Sequence, residues 1–138
     1  MPVELPNPAD FLPHRGAMLL LGRVTALDAE RVEAEATIRA DNPLLGAAGF
    51  PAWGGLELLA EACGMLLAGG GADRPKAAAI VAVRQMSCAP QRFPVGTTLR
   101  IHGELLGGSA AAALCSGRVE VAGESVFSAT LTIAKLEE

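Results

Sequence analysis

Two glutamates, Glu57 and Glu61, stand four residues apart in an otherwise apolar run. If that run is helical they share one face, one turn apart. A like-charged pair held away from water raises a carboxyl pKa, which suits a general acid. Glu57 reads as the acid, with a dipole-stabilising or subunit-facing role as its alternative; Glu61 reads as a supporting or solvent-facing residue. Imidazole, the commonest partner in acid–base work, is scarce: His14 and His102 are the two histidines. His14 sits in a Pro-His-Arg-Gly turn, a place for a scaffold residue, yet it is the better of the two for a base. His102 lies between Arg100 and Glu104 on the polar side of an alternating segment and reads as solvated. Arg84 ends an apolar run and reads as a salt-bridge residue before a ligand contact. Trp53 is expected either to gate an apolar tunnel or to staple the helix start to a sheet.

Cys63, Cys88 and Cys115 are far apart, with no Cys-x-x-Cys or Cys/His cluster, so no metal site is expected. They read as core thiols, Cys63 on the apolar side of the helix, and free thiols in apolar runs fit a reducing cytoplasm.

These residues need a frame, and the composition supplies one. The 138 residues carry 15 acidic and 11 basic side chains, a net charge of −4, which leaves no basic field for a nucleic acid. Apolar residues reach 51% and charged ones 19%, excluding disorder. No apolar run is long enough to cross a membrane, and the proline-rich, acidic first ten residues do not resemble a signal peptide. A single domain over residues 1–138 is expected. Much of the apolar share is Ala, so backbones pack closely.

Prolines 6, 8 and 13 confine the start to turns and at most a short helix over 8–12. Residues 17–29 read as a strand, 28–30 as a turn. Residues 31–40 alternate, with Val32, Ala34, Ala36 and Ile38 opposite charged neighbours, the pattern of a half-buried strand. A loop over 41–50 leads to Pro51, suited to a first helical turn, and a helix over 52–68 that Gly69-Gly70-Gly71 stops. That helix is apolar nearly all round, hence buried. Strands follow over 77–83, 97–105, 110–121 and 125–135, with Gly107-Gly108 and Gly123 as hairpin turns. One buried helix among hairpin-linked strands implies an α+β fold, an antiparallel sheet curled around the helix.

The opening Phe11-Leu12-Pro13-His14-Arg15-Gly16 and the apolar run to Val24 resemble the start of 3-hydroxyacyl-ACP dehydratases of the FabA/FabZ type, with Gly22 where that family has Asp. Pro51-Ala52-Trp53-Gly54-Gly55-Leu56-Glu57-Leu58-Leu59-Ala60-Glu61 is similar to their central helix, with Glu61 where they have Gln. Arg92-Phe93-Pro94-Val95-Gly96-Thr97 is similar to the start of one of their strands. The Pro-Ala-Trp variant looks closest to dehydratase-like proteins of aryl-polyene and related acyl-assembly clusters.

The resemblance implies a hotdog fold and removal of water from a 3-hydroxyacyl chain on the phosphopantetheine of an acyl carrier protein, with no cofactor of the enzyme's own. It carries the acid over to Glu57 and backbone contributions to Gly54 and Gly55, with Trp53 beside them at the substrate. The family's loop His has no counterpart: Ala48 falls nearest its place, leaving His14, water or Asp41 as base, or a His lent by another chain. The implied assembly is a homodimer or higher homo-oligomer, or a mixed dimer with another hotdog dehydratase. A hotdog thioesterase and a non-catalytic subunit remain the alternatives.

Overall fold

The computed structural model describes residues 20–68, 77–109 and 111–136. Eight strands and one long helix follow one another in the described residues: β1 (Arg23–Leu27), β2 (Arg31–Thr37), β3 (Phe50–Pro51), a 3-10 turn (Ala52–Gly54), α1 (Gly55–Ala68), β4 (Ala77–Cys88), β5 (Arg92–Phe93), β6 (Thr98–Gly108), β7 (Ala112–Val121) and β8 (Glu124–Leu136). Six of the strands form one antiparallel sheet in the order β1-β2-β6-β7-β8-β4, and β3 pairs with β5 in a separate two-stranded piece.

The helix lies on the inner face of this sheet, and alternation decides which residues meet it. Val32, Ala34 and Ala36 of β2, Leu99 and Ile101 of β6, Cys115 and Val119 of β7, and Phe127, Ala129, Leu131 and Ile133 of β8 are buried with Leu58, Leu59, Ala62, Cys63 and Met65 of α1. Small residues bring the helix close. Gly103 and Gly117 pair across β6 and β7. A Cβ on Gly117 would run into Leu59 and the His102 carbonyl, and one on Gly103 into Val32. The sheet is therefore notched at the point where Leu59 seats.

The hairpins are locally encoded. The Asp28 carboxylate accepts the N–H groups of Glu30 (2.8 Å) and Arg31 (2.9 Å), closing the β1–β2 turn. Those bonds hold its pKa below the usual carboxylate value. Ala122 (φ 51°) and Gly123 (φ 83°) form the two-residue turn between β7 and β8.

Three expectations are corrected. Gly107 and Gly108 are not the hairpin turn: they pair with Leu114 and Ala113 inside the ladder, and the turn follows, where Ser109 Oγ accepts the N–H groups of Ala111 and Ala112. Strand β4 does not end at Arg84; Gln85 takes a positive φ of 54°, a bulge, and pairing with β8 resumes at Ser87. The stretch over 17–29 shortens to β1, although the Gly22 N–H already bonds the Glu35 carbonyl (2.9 Å). The helix over 52–68 forms as expected, its first turn 3-10 and Pro51 capping it from an extended conformation (φ −74°, ψ 144°). The short helix over 8–12, His14, the strand residues 17–19 and the Gly69-Gly70-Gly71 stop lie outside the described residues.

Candidate active site

The start of α1 is built by packing glycine against aromatic rings. The β3–β5 pair sets Phe50 opposite Phe93, and Gly49 (φ 111°) presses on the Phe93 backbone, so the loop before the helix is held tightly. Gly54 lies on the ring of Phe50 and Gly55 on the ring of Phe127, so close that a Cβ on either would overlap it. The Ala52 N–H bonds the Gln91 carbonyl (3.3 Å). The Gly55 N–H turns to the carbonyls of Ala52 and Trp53. The Trp53 N–H lies ahead of the i→i−3 bonds of this turn, among the donors without an intrahelical acceptor. The Trp53 side chain is 51% exposed beside them.

Glu57 occupies the first turn of α1 and is exposed, where the helix dipole favours a negative charge. Glu61, one turn on, is 1% exposed, which excludes the solvent-facing alternative. Its Oε1 accepts the N–H groups of Leu20 (2.9 Å) and Leu21 (3.0 Å), and Leu20 also reaches Oε2 (3.2 Å). Burial pushes the Glu61 carboxyl up to about 7; the two backbone bonds and Arg39 oppose that shift, and Glu57 adds to it. The raised carboxyl expected of the pair is therefore Glu61, and desolvation, more than the neighbouring charge, raises it. The signal for this in the sequence was an acid where the resembling family has an amide, on a helix apolar nearly all round.

No imidazole joins Glu57 among the described residues. The loop position nearest the absent histidine, Ala48, is exposed, beside a small bridge between Gly46 and Gly49. Asp41 is exposed and pairs with Arg39 at 3.2 Å. His102 points from the outer face of the sheet, away from the helix. It is not simply solvated: Nδ1 lies 3.2 Å from Glu33 and Nε2 3.5 Å from Glu120, which also holds Arg118. Arg84 is exposed on β4. Cys63 and Cys115 are buried as expected, but Cys88 is exposed, on the outermost described strand β4. Among the described residues no group of three or more His, Cys, Asp and Glu could hold a metal ion, and no helix is long and apolar enough to cross a membrane.

Comparison with solved structures finds the same architecture. The dehydratase heterocomplex ApeI:P from Xenorhabdus doucetiae superposes with a TM-score of 0.87 at 22% identity, covering 95% of this chain and 91% of that one. A thioesterase-like, phenylacetic acid degradation-related protein from Ralstonia eutropha gives 0.64 at 19% identity, covering 82% and 83%. A hypothetical thioesterase with coenzyme A from Streptococcus pneumoniae gives 0.65 at 14% identity, covering 84% and 86%. Among curated proteins no significant sequence match was found. The fold is the hotdog fold: a helix held against a large antiparallel sheet. The profile of the ApeP-like family, described as ApeP dehydratase, matches residues 6–138, nearly the whole length, and the chain belongs to that family.

Proposed function

We propose that this chain is a subunit of a dehydratase acting on 3-hydroxyacyl thioesters carried by acyl carrier protein, and that a second hotdog chain docked along β4 completes its site. The observation that carries this reading is Glu57: a carboxylate in the first turn of the central helix, open to solvent, with no imidazole beside it among the described residues. Elimination of water needs an acid at the departing 3-hydroxyl, a base at the C2 proton and donors at the thioester oxygen. Glu57 protonates the hydroxyl as the C3–O bond breaks. The positive end of the helix, at Gly54, stabilises the charge that develops on the thioester oxygen. Gly55 lets the turn sit against Phe127, and Trp53 covers the acyl chain. The base comes from the partner, which removes the C2 proton as the double bond forms.

The outer edge of the sheet supports the partner. Among the described residues β4 is an edge strand, and from Val81 to Cys88 it is largely exposed, with Val81 at 60% and Met86 at 53%. An apolar, unpaired edge is a template for a neighbouring strand. The similarity to a dehydratase heterocomplex supports a different hotdog chain as the occupant.

The test is to incubate the purified chain with 3-hydroxyacyl- and enoyl-ACP, alone and mixed with a hotdog dehydratase that carries the loop histidine, and to follow loss or gain of water by mass. Slow turnover alone and fast turnover in the mixture is the expected result. Turnover in the mixture that survives Glu57→Gln assigns this chain a non-catalytic role, and release of the free acid assigns a thioesterase. Fast turnover by the chain alone that is lost in His14→Ala, with folding intact, makes His14 the base and removes the need for a partner.

A further inference from the structure

Glu61 is the one charged side chain buried among the described residues, and the reaction proposed above does not use it. Its carboxylate reaches across 41 and 40 positions of sequence to Leu20 and Leu21. Both residues are buried, at 6% and 3% exposure, and they precede the β1–β2 ladder, which begins with the Gly22 N–H on Glu35. Buried N–H groups outside a ladder require an acceptor. Glu61 supplies it, and so ties the start of the sheet to the middle of α1.

We propose that Glu61 is an ionisable clasp: it holds the Leu20–Leu21 segment against the central helix, and the loss of its proton loosens that hold. The inference is independent of the reaction proposed above. It rests on the burial of the carboxyl and its three backbone contacts.

The direction follows from what surrounds the group. Oε1 accepts both N–H groups whether or not Oε2 carries a proton, so the clasp closes in either state. The ionised form gains stronger bonds but loses its hydration. Among the described residues the charges acting on it are Glu57, one turn away on α1, which opposes ionisation, and Arg39, after β2, which favours it. The strands packed against α1 present Ala34 and Ala36, Leu99 and Ile101, Cys115, and Leu131, none of them charged. Burial prevails and lifts the closed-state pKa to about 7. Opening the segment admits water, and the pKa falls back toward its ordinary value of 4.5. Ionisation therefore favours the open form: opening becomes more frequent as pH rises from that lower value, and levels off above the higher one.

Hydrogen exchange of the Leu20 and Leu21 amides, corrected for intrinsic rates, reads this directly. Between pH 6 and pH 8 the opening equilibrium of the wild-type chain should rise about tenfold. In Glu61→Gln, whose side-chain oxygen still accepts both bonds but cannot titrate, it should be flat. A flat wild-type profile, or the same rise in Glu61→Gln, overturns the proposal. A second measurement needs no variant: the Glu61 carboxyl carbon, followed by NMR, should titrate with a midpoint near 7. A midpoint in the ordinary carboxylate range overturns it equally.

Discussion

Glu57 and Glu61 are one helical turn apart on α1, yet one stands in solvent and the other is sealed beneath the amides of Leu20 and Leu21. The same side chain in two environments divides the work. The exposed one can meet a substrate and exchange its proton with water; the sealed one can only hold the fold.

Replacing Glu57 by Gln should abolish dehydration while barely moving the thermal midpoint. Gln keeps the volume and the hydrogen bonding but cannot give up a proton as an acid must. Removal of a positioned acid costs about 10²–10⁴ in rate. The lost charge at an exposed helix start costs only about 0.3–1 kcal/mol. Turnover of the mixed assembly and a thermal melt check the two halves separately; near-wild-type turnover would falsify the assignment.

The pH dependence of stability should carry the mark of Glu61. Its pKa rises from 4.5 unfolded to about 7 folded. The folded chain thus binds more protons than the unfolded chain between those values, and stability falls as pH rises through that window. The full shift corresponds to about 3 kcal/mol. Asp28, Glu35 and Glu120 are shifted the other way, by backbone bonds to the first and by Arg23 and Arg118 beside the other two. What they contribute is present above the usual carboxylate pKa and is lost at lower pH, outside the Glu61 window. Denaturant melts at pH 5.5 and pH 7.5 should show the wild-type chain losing stability relative to Glu61→Gln. Parallel curves for the two proteins would contradict it.

Charges placed on the β4 edge should prevent assembly without unfolding the chain. Val81 and Met86 are more than half exposed, so Lys is tolerated at either position in the isolated chain. In a pairing that buries the edge it meets an apolar neighbour. Mixed with the partner hotdog chain, Val81→Lys with Met86→Lys should form no complex by light scattering, and its own circular dichroism spectrum should be unchanged. Intact assembly of the double variant would move the interface elsewhere.

Gly117→Ala should destabilise by about 1–3 kcal/mol, the usual cost of overpacking. Its new methyl group meets both Leu59 and the His102 carbonyl. Ala at Gly123, whose Cβ would meet nothing, is hindered only by the positive φ of 83° and should cost less. Thermal melts of the two variants decide the order.

Patterns that repeat along the chain were legible before the fold was seen. The alternation of Val32, Ala34 and Ala36 named the inner face of β2; Phe127, Ala129, Leu131 and Ile133 did the same for β8; the apolar circumference of residues 52–68 marked the central helix. Contacts made across long separations were not. The β3–β5 pair joins two-residue strands, too short for any period to register. Gly107 and Gly108 look like turn residues, but their pairing is settled by where Ser109 closes the hairpin. Glu61 shares a helical face with Glu57, and only the return of Leu20 and Leu21 to that face separates them. The site shared that limit: Glu57 and the two glycines could be named from a motif, but not that Gly54 and Gly55 each rest on a phenylalanine ring from another part of the chain.

If a second chain docks on β4 as proposed, the exposed run of that strand ties the abundance of this protein to that of its partner. A partner that binds only the folded chain stabilises it by mass action, about 2.7 kcal/mol when present at a hundredfold excess over its dissociation constant. Copies made beyond that partner's supply would keep Val81, Val83 and Met86 in water on a strand that is an edge among the described residues. Such edges join one another into aggregates. Matched synthesis of the two chains would then be a condition for solubility as much as for the proposed catalysis.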